Sequence, residues 1–203
     1  MKTRQSGMPQ RETWEGFFNP SQILAQLGMT REIRDVVDFG CGYGTFSVAA
    51  ARIVRGTVYA VDIDPTMTAA TAAAARAAGV CNVEVIEGDF VAGIALPEGS
   101  ADYAMLFNIL HAEERDVLLR EAHRLLRPRG ILAIVHWNHD PTTPRGPSMA
   151  IRPKPQQCLA WAQTAGLVCS DPTVIDLPPY HWGLMLQPQD QRASARMSEG
   201  RPS

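Results

Sequence analysis

Two rhythms alternate along this chain. Short unbroken apolar runs, rich in valine and isoleucine, are separated by longer stretches in which alanine and leucine recur at helical spacing. The unbroken runs predict strands over 34–39, 57–62, 82–86, 102–108 and 131–137. A strand without polar alternation is one covered on both faces, as in a parallel sheet. The intervening stretches predict helices over 46–54, 66–78 and 113–126. Asp64-Pro65 supplies a cap and a first-turn proline for the second of these, and Gly79 stops it. In the third, Leu118, Ala122, Leu125 and Leu126 form one apolar stripe. Glu113 and Glu114 sit at its positive end and Arg124 and Arg127 at its negative end, before Pro128 and Gly130 terminate it.

Strand–helix alternation through residue 137 predicts an α/β chain: a Rossmann-like single domain whose mostly parallel sheet carries helices on both faces. A helix over 156–165 and two last strands, over 167–177 and 181–187, complete seven strands, the final one antiparallel. Residues 34–187 form this domain. Residues 1–33 form an N-terminal segment, loose over 1–12 and helical over 20–27. Residues 188–203 read as a polar, disordered tail. Right-handed crossovers place every parallel strand's carboxyl end on one rim, where ligands bind. Phe39, Asp62, Gly88, Asp89, Asn108 and His136 all fall at such ends.

Composition changes this picture little. The chain is 45% hydrophobic and 20% charged, and its net charge of −2 does not by itself suggest a nucleic-acid or membrane surface, though a local basic patch can sit within a neutral total. Cys41, Cys81, Cys158 and Cys169 form no C-x-x-C pair and have no histidine at ligand spacing, so reduced thiols and no metal site are expected. With no apolar signal segment and no stretch long enough to span a bilayer, a cytoplasmic location is expected.

The candidate chemistry begins at Val36-Val37-Asp38-Phe39-Gly40-Cys41-Gly42-Tyr43-Gly44-Thr45. A buried strand ends in glycines at alternate positions and a helix follows. Such a loop lets a ligand approach the backbone and offers free N–H groups. A nicotinamide dinucleotide site calls for G-x-G-x-x-G, and here the third glycine comes one residue early. Asp38 precedes the loop, where a pyrophosphate gains nothing from a negative charge and a cation would.

At this point the chain resembles the class I S-adenosylmethionine-dependent methyltransferases, in particular the small type 11, ubiquinone-biosynthesis-like subgroup. The match runs through D-F-G-C-G-Y-G at 38–44, V-Y-A-V-D-I-D-P at 58–65, E-G-D-F at 87–90, D-Y-A-M-L-F-N-I-L-H at 102–111 and R-L-L-R-P-R-G-I-L-A-I at 124–134. The resemblance implies S-adenosylmethionine as cofactor. Gly40, Cys41, Gly42 and Gly44 would form its backbone cradle, with Asp38 near its amino-acid end. Asp62 would accept both ribose hydroxyls. Asp89 would take the adenine amino group, with Ile63 and Phe90 sandwiching the ring, and Asn108 would lie beside the methionine part.

Methyl transfer needs alignment and dryness first, and a general base only where the nucleophile arrives protonated. His136 is the first candidate for that base and His111 the second. The stretch holding Asn138, His139 and Arg145 is expected to form one wall of the acceptor pocket, with Trp14, Phe17 and Phe18 of the N-terminal segment as its lid. Those three aromatics can equally be read as sheet-edge core. The strand-four motif N-I-L-H departs from N-P-P-[YFW], so a small-molecule acceptor is expected rather than nucleic acid, with a protein side chain left open. Two other readings stay open: a non-catalytic S-adenosylmethionine-binding protein, and a nicotinamide-dependent oxidoreductase.

Overall fold

The structure is a computed structural model, and it describes residues 8–169 and 173–189. Five parallel strands form its centre: β1 (Val36–Phe39), β2 (Val58–Asp62), β3 (Val83–Glu87), β4 (Ala101–Phe107) and β5 (Leu126–Trp137). They lie in the order β3-β2-β1-β4-β5, and β8 (His181–Pro188) runs antiparallel along the far side of β5. Helices α3 (Thr45–Ala51), α4 (Pro65–Ala77) and α5 (Arg115–Leu125) connect the parallel strands, α1 (Arg11–Glu15) and α2 (Pro20–Gln26) precede them, and α6 (Pro155–Thr164) precedes the last strands.

Alternate residues of the inner strands face opposite cores, which is why those runs contain no polar beat, whereas β3 at the sheet edge exposes Glu84 and Glu87. On one face Val37, Phe39, Leu106 and Ile134 pack with Leu118, Leu119, Ala122 and Leu125 of α5 and Cys158 and Ala162 of α6. On the other Val36, Tyr103, Met105, Phe107 and Val135 pack with Ile23, Leu24 and Leu27 of α2 and Phe46 and Ala50 of α3. The apolar stripe expected in α5 is therefore core.

Two expectations need correction. The strand expected over 167–177 is divided: β6 (Leu167–Val168) and β7 (Ile175–Leu177) pair antiparallel with opposite ends of β8, giving eight strands instead of seven. Residues 170–172, between them, lie outside the described residues, as do 1–7 and the tail beyond Gln189. Strand β5 also begins five positions earlier than its apolar run, at Leu126 instead of 131. The reason is ionic: the Arg127 guanidinium bridges Asp35 at 3.0 Å and Asp102 at 2.6 Å, tying the start of β5 to the starts of β1 and β4. The cap of α4 is as expected, with the Asp64 carboxylate accepting from the Thr66 N–H at 2.8 Å. Among the described residues, no helix is long and apolar enough to cross a membrane.

Candidate active site

At the carboxyl ends of β1 and β2 the glycine loop leaves the sheet. Gly40, Gly42 and Gly44 have φ of 75°, 56° and 77°, a conformation that side-chain-bearing residues rarely adopt. Gly44 is also sterically required, because a Cβ there would stand 3.2 Å from the Thr71 Cα. The loop is held from below: the Gly40 and Cys41 N–H groups donate to the Val61 carbonyl at 2.8 and 3.0 Å. Thr71 closes it by donating to the Gly42 carbonyl at 2.8 Å.

Asp62 ends β2 and is only 5% exposed. One of its carboxylate oxygens accepts from the Gly42 N–H at 2.9 Å and the other from the Asp64 N–H at 3.0 Å. Each oxygen keeps a further lone pair for a ligand hydroxyl. Asp38 is also buried and accepts a hydrogen bond from the Ser47 hydroxyl. Burial pushes its pKa up to about 7. The Ser47 bond opposes that rise and the nearby Asp62 adds to it. Among the described residues, no cationic side chain pairs with Asp38.

A cavity of about 1360 Å³ opens above these groups. Asp38, Gly40, Cys41, Gly42, Asp62, Ile63, Asp89, Phe90 and Asn108 line it, as do Trp14, His111 and Arg145. Six other expected residues do not. Gly44 faces a smaller cleft on the far side of the loop, beside Arg11 and Arg52. Phe18 is packed into the core between Phe46 and His181, with centroids 5.2 and 4.6 Å away. Phe17 stands edge-on to Trp137 and Tyr180. Asn138 and His139 belong to the loop behind the wall, their carbonyl and imidazole engaged with Arg152.

His136 is the main correction. Its side chain is completely buried, it stacks on Trp182 at 6.1 Å, and neither ring nitrogen has a partner. Burial, with His111 adding repulsion, lowers its pKa to about 3. Strand alternation is the cause: Trp137, one position later, takes the cavity-lining place. His111 stays at the wall, 5.6 Å from His136, and burial holds its pKa below the ordinary imidazole value.

Several wall residues carried no sequence signal. Glu113 and Glu114 read as helix-end charges, yet they line the cavity together with Phe107, Pro147 and Ile151. The least legible is Arg152. It is 7% exposed and donates to the carbonyls of Asn138, Asp140, Arg145 and Pro147 and to the Thr143 hydroxyl. One guanidinium thereby organises a proline-rich loop that has no helix or strand of its own. Gly146 is pressed against it, since a Cβ there would fall 2.7 Å from the guanidinium and 2.9 Å from Trp137.

The residues present fit S-adenosylmethionine. The glycine cradle, the two-oxygen acceptor at the end of β2 and the cavity volume suit the nucleoside. The buried, uncompensated Asp38 suits a cation, which a nicotinamide pyrophosphate would not bring to that end.

Known proteins point the same way. Residues 36–130 match the sequence pattern of the family described as "Methyltransferase domain". The chain is 39% identical over 98 residues to the ribosomal protein L11 methyltransferase of Pelotomaculum thermopropionicum, covering 48% of this chain and 30% of that one. It is 39% identical over 123 residues to the nocamycin O-methyltransferase of Saccharothrix syringae, covering 58% of this chain and 43% of that one. The chain thus spans less than half the length of these curated relatives. A crystal structure of a SAM-dependent methyltransferase from Aquifex aeolicus superposes with a TM-score of 0.77 at 24% identity, over 87% of this chain and 92% of that one. With the strand order and the glycine loop in agreement, residues 36–130 form a methyltransferase domain, carried on the fold of the Aquifex aeolicus enzyme.

Proposed function

We propose that this chain methylates a small-molecule acceptor with S-adenosylmethionine. The observation that carries the reading is Asp38, a buried carboxylate lining the cavity that has no cationic partner among the described residues. When bound, S-adenosylmethionine supplies an electrophilic methyl group on a sulfonium. Asp38 would hold the ammonium of the amino-acid end, and Asp62 would accept from the ribose hydroxyls. Asp89, Ile63 and Phe90 would hold the adenine, and Asn108 would stand beside the methionine part.

The acceptor half of the cavity is then bounded by Trp14, Trp137, Arg145, Pro147 and Ile151. Aromatic and aliphatic walls exclude water and hold the nucleophile in line with the methyl carbon, which supplies most of the rate. His111 is the one imidazole that lines this cavity among the described residues, and its lowered pKa keeps it neutral near pH 7, ready to take a proton from the acceptor. His136 takes no part in that step.

The test has two stages. Calorimetry with S-adenosylhomocysteine should show binding that Asp62→Ala weakens at least tenfold, and NAD should not compete. Tritiated methyl from S-adenosylmethionine should then appear in members of a metabolite library. No binding in the first stage sinks the reading. Binding without transfer to any small molecule favours a binding protein, or a protein acceptor of the kind named for the L11 relative.

A further inference from the structure

Tyr43 stands in the glycine loop between Gly42 and Gly44, yet its hydroxyl bonds away from the loop. It donates to the Pro9 carbonyl at 2.9 Å, across 34 positions of sequence. The same contact seats Met8 on the loop. The Met8 sulfur lies 2.8 Å from the point where a Cβ on Gly42 would stand, so this thioether fills the space the glycine leaves. Met8, Pro9 and Trp14 all line the cavity, Met8 and Pro9 beside the glycine loop and Trp14 further along, its ring 4.7 Å from that of Phe18.

The other end of this segment is fixed differently. Phe17 lies 5.2 Å from Trp137, and Phe18 4.6 Å from His181, both against rings of the sheet's last strands. Between the two ends runs α1, which has no buried residue. Residues 8–15 are therefore an arm with an aromatic root at 17–18 and a tip held, among the described residues, by the Tyr43–Pro9 hydrogen bond and the Met8 contact.

We propose that Tyr43 is a positioning residue that latches this arm over the cofactor half of the cavity and so sets how long the cofactor stays bound. The proposal rests on the S-adenosylmethionine reading given above. A ligand lying along Gly40–Gly42 leaves only after the Tyr43–Pro9 bond and the Met8 contact part together, while Phe17 and Phe18 keep the arm tethered for reclosing. The loop tyrosine thus does a task separate from the glycines beside it, which shape the cradle itself.

The probe is S-adenosylhomocysteine, its release followed by stopped-flow tryptophan fluorescence, with Trp14 at the cavity wall as reporter. Tyr43→Phe removes only the hydroxyl and should speed release about three- to tenfold, the size expected for one net hydrogen bond. Met8→Ala should speed it similarly. The double variant should release no faster than the faster single variant, because both act through one latch. Thermal unfolding of the ligand-free Tyr43→Phe chain should match wild type, which separates a latch from a damaged loop. A Tyr43→Phe rate within twofold of wild type overturns the latch, as do fully multiplicative effects of the two substitutions. Failure of the wild-type chain to bind S-adenosylhomocysteine overturns the methyl-donor reading and the latch with it, an outcome distinct from binding at an unchanged rate.

Discussion

Asp38 and Asp62 are both buried carboxylates at strand ends, yet they are built for different work. Asp62 is stabilised by two backbone N–H groups. Asp38 has a single hydroxyl and is pushed up to about 7 from 3.8. In the free protein, Asp38 therefore holds its proton below about pH 7, and stability falls as pH climbs from about 3.8 to about 7 and the buried charge forms. A cationic ligand favours the charged form, so binding below pH 7 must expel a proton. Affinity for S-adenosylmethionine should thus rise with pH up to about 7 and level off above it. Calorimetry at pH 6 in two buffers of different ionisation enthalpy should show close to one proton released, and Asp38→Asn should show none. Proton uptake instead of release would contradict the assignment.

At the scale of elements, the proposed acceptor wall is a loop whose shape comes from a single side chain. Arg152 meets five different partners, and its guanidinium is desolvated enough that its pKa is lowered. Removing it leaves four carbonyls without their donor, those of half-buried Asn138 and Pro147 and of Asp140 and Arg145. Arg152→Ala should cost about 2–4 kcal/mol in urea unfolding. Arg152→Lys should recover only part, since an ammonium cannot span the same fork of partners. Hydrogen exchange should quicken over 138–152 in both variants while the glycine loop keeps its protection. Uniform loss of protection across the sheet would mean that Arg152 supports the whole fold instead of this wall.

For the whole molecule, the histidines set the acid limit. His136 and His181 are buried at 0% and 1% exposure with unpartnered ring nitrogens, and both are lowered from 6.5 to about 3. A depressed histidine contributes its full share of stability above pH 6.5 and loses it as pH falls toward 3. Each should cost on the order of 2 kcal/mol between pH 7 and pH 5. His136→Phe should keep the packing on Trp182 and shrink that loss by about the same amount, measured by urea unfolding at the two pH values. An unchanged acid loss would mean that the ring gains a proton partner on folding.

The sequence by itself determined the parallel sheet and the set of strand ends that meet at one rim. Short apolar runs rich in valine and isoleucine between turn signals favour strands, and parallel strands with right-handed crossovers bring Asp38, Asp62, Asp89 and Asn108 to one rim. Those roles depend on strand ends, which local pattern marks well. The tertiary structure decided the rest. Whether a residue at the end of β5 faces the cavity depends on the phase of a two-residue alternation, and that phase turned His136 inward and Trp137 outward. Whether Phe17 and Phe18 cover a ligand or a core depends on what lies opposite them, and β8 lies there. The two strands flanking residues 170–172 are short because each pairs with a different end of β8, a constraint from a partner distant in the chain. Arg152 carried no local mark, because its partners are backbone carbonyls that any sequence possesses, brought around it only by the path of the folded loop.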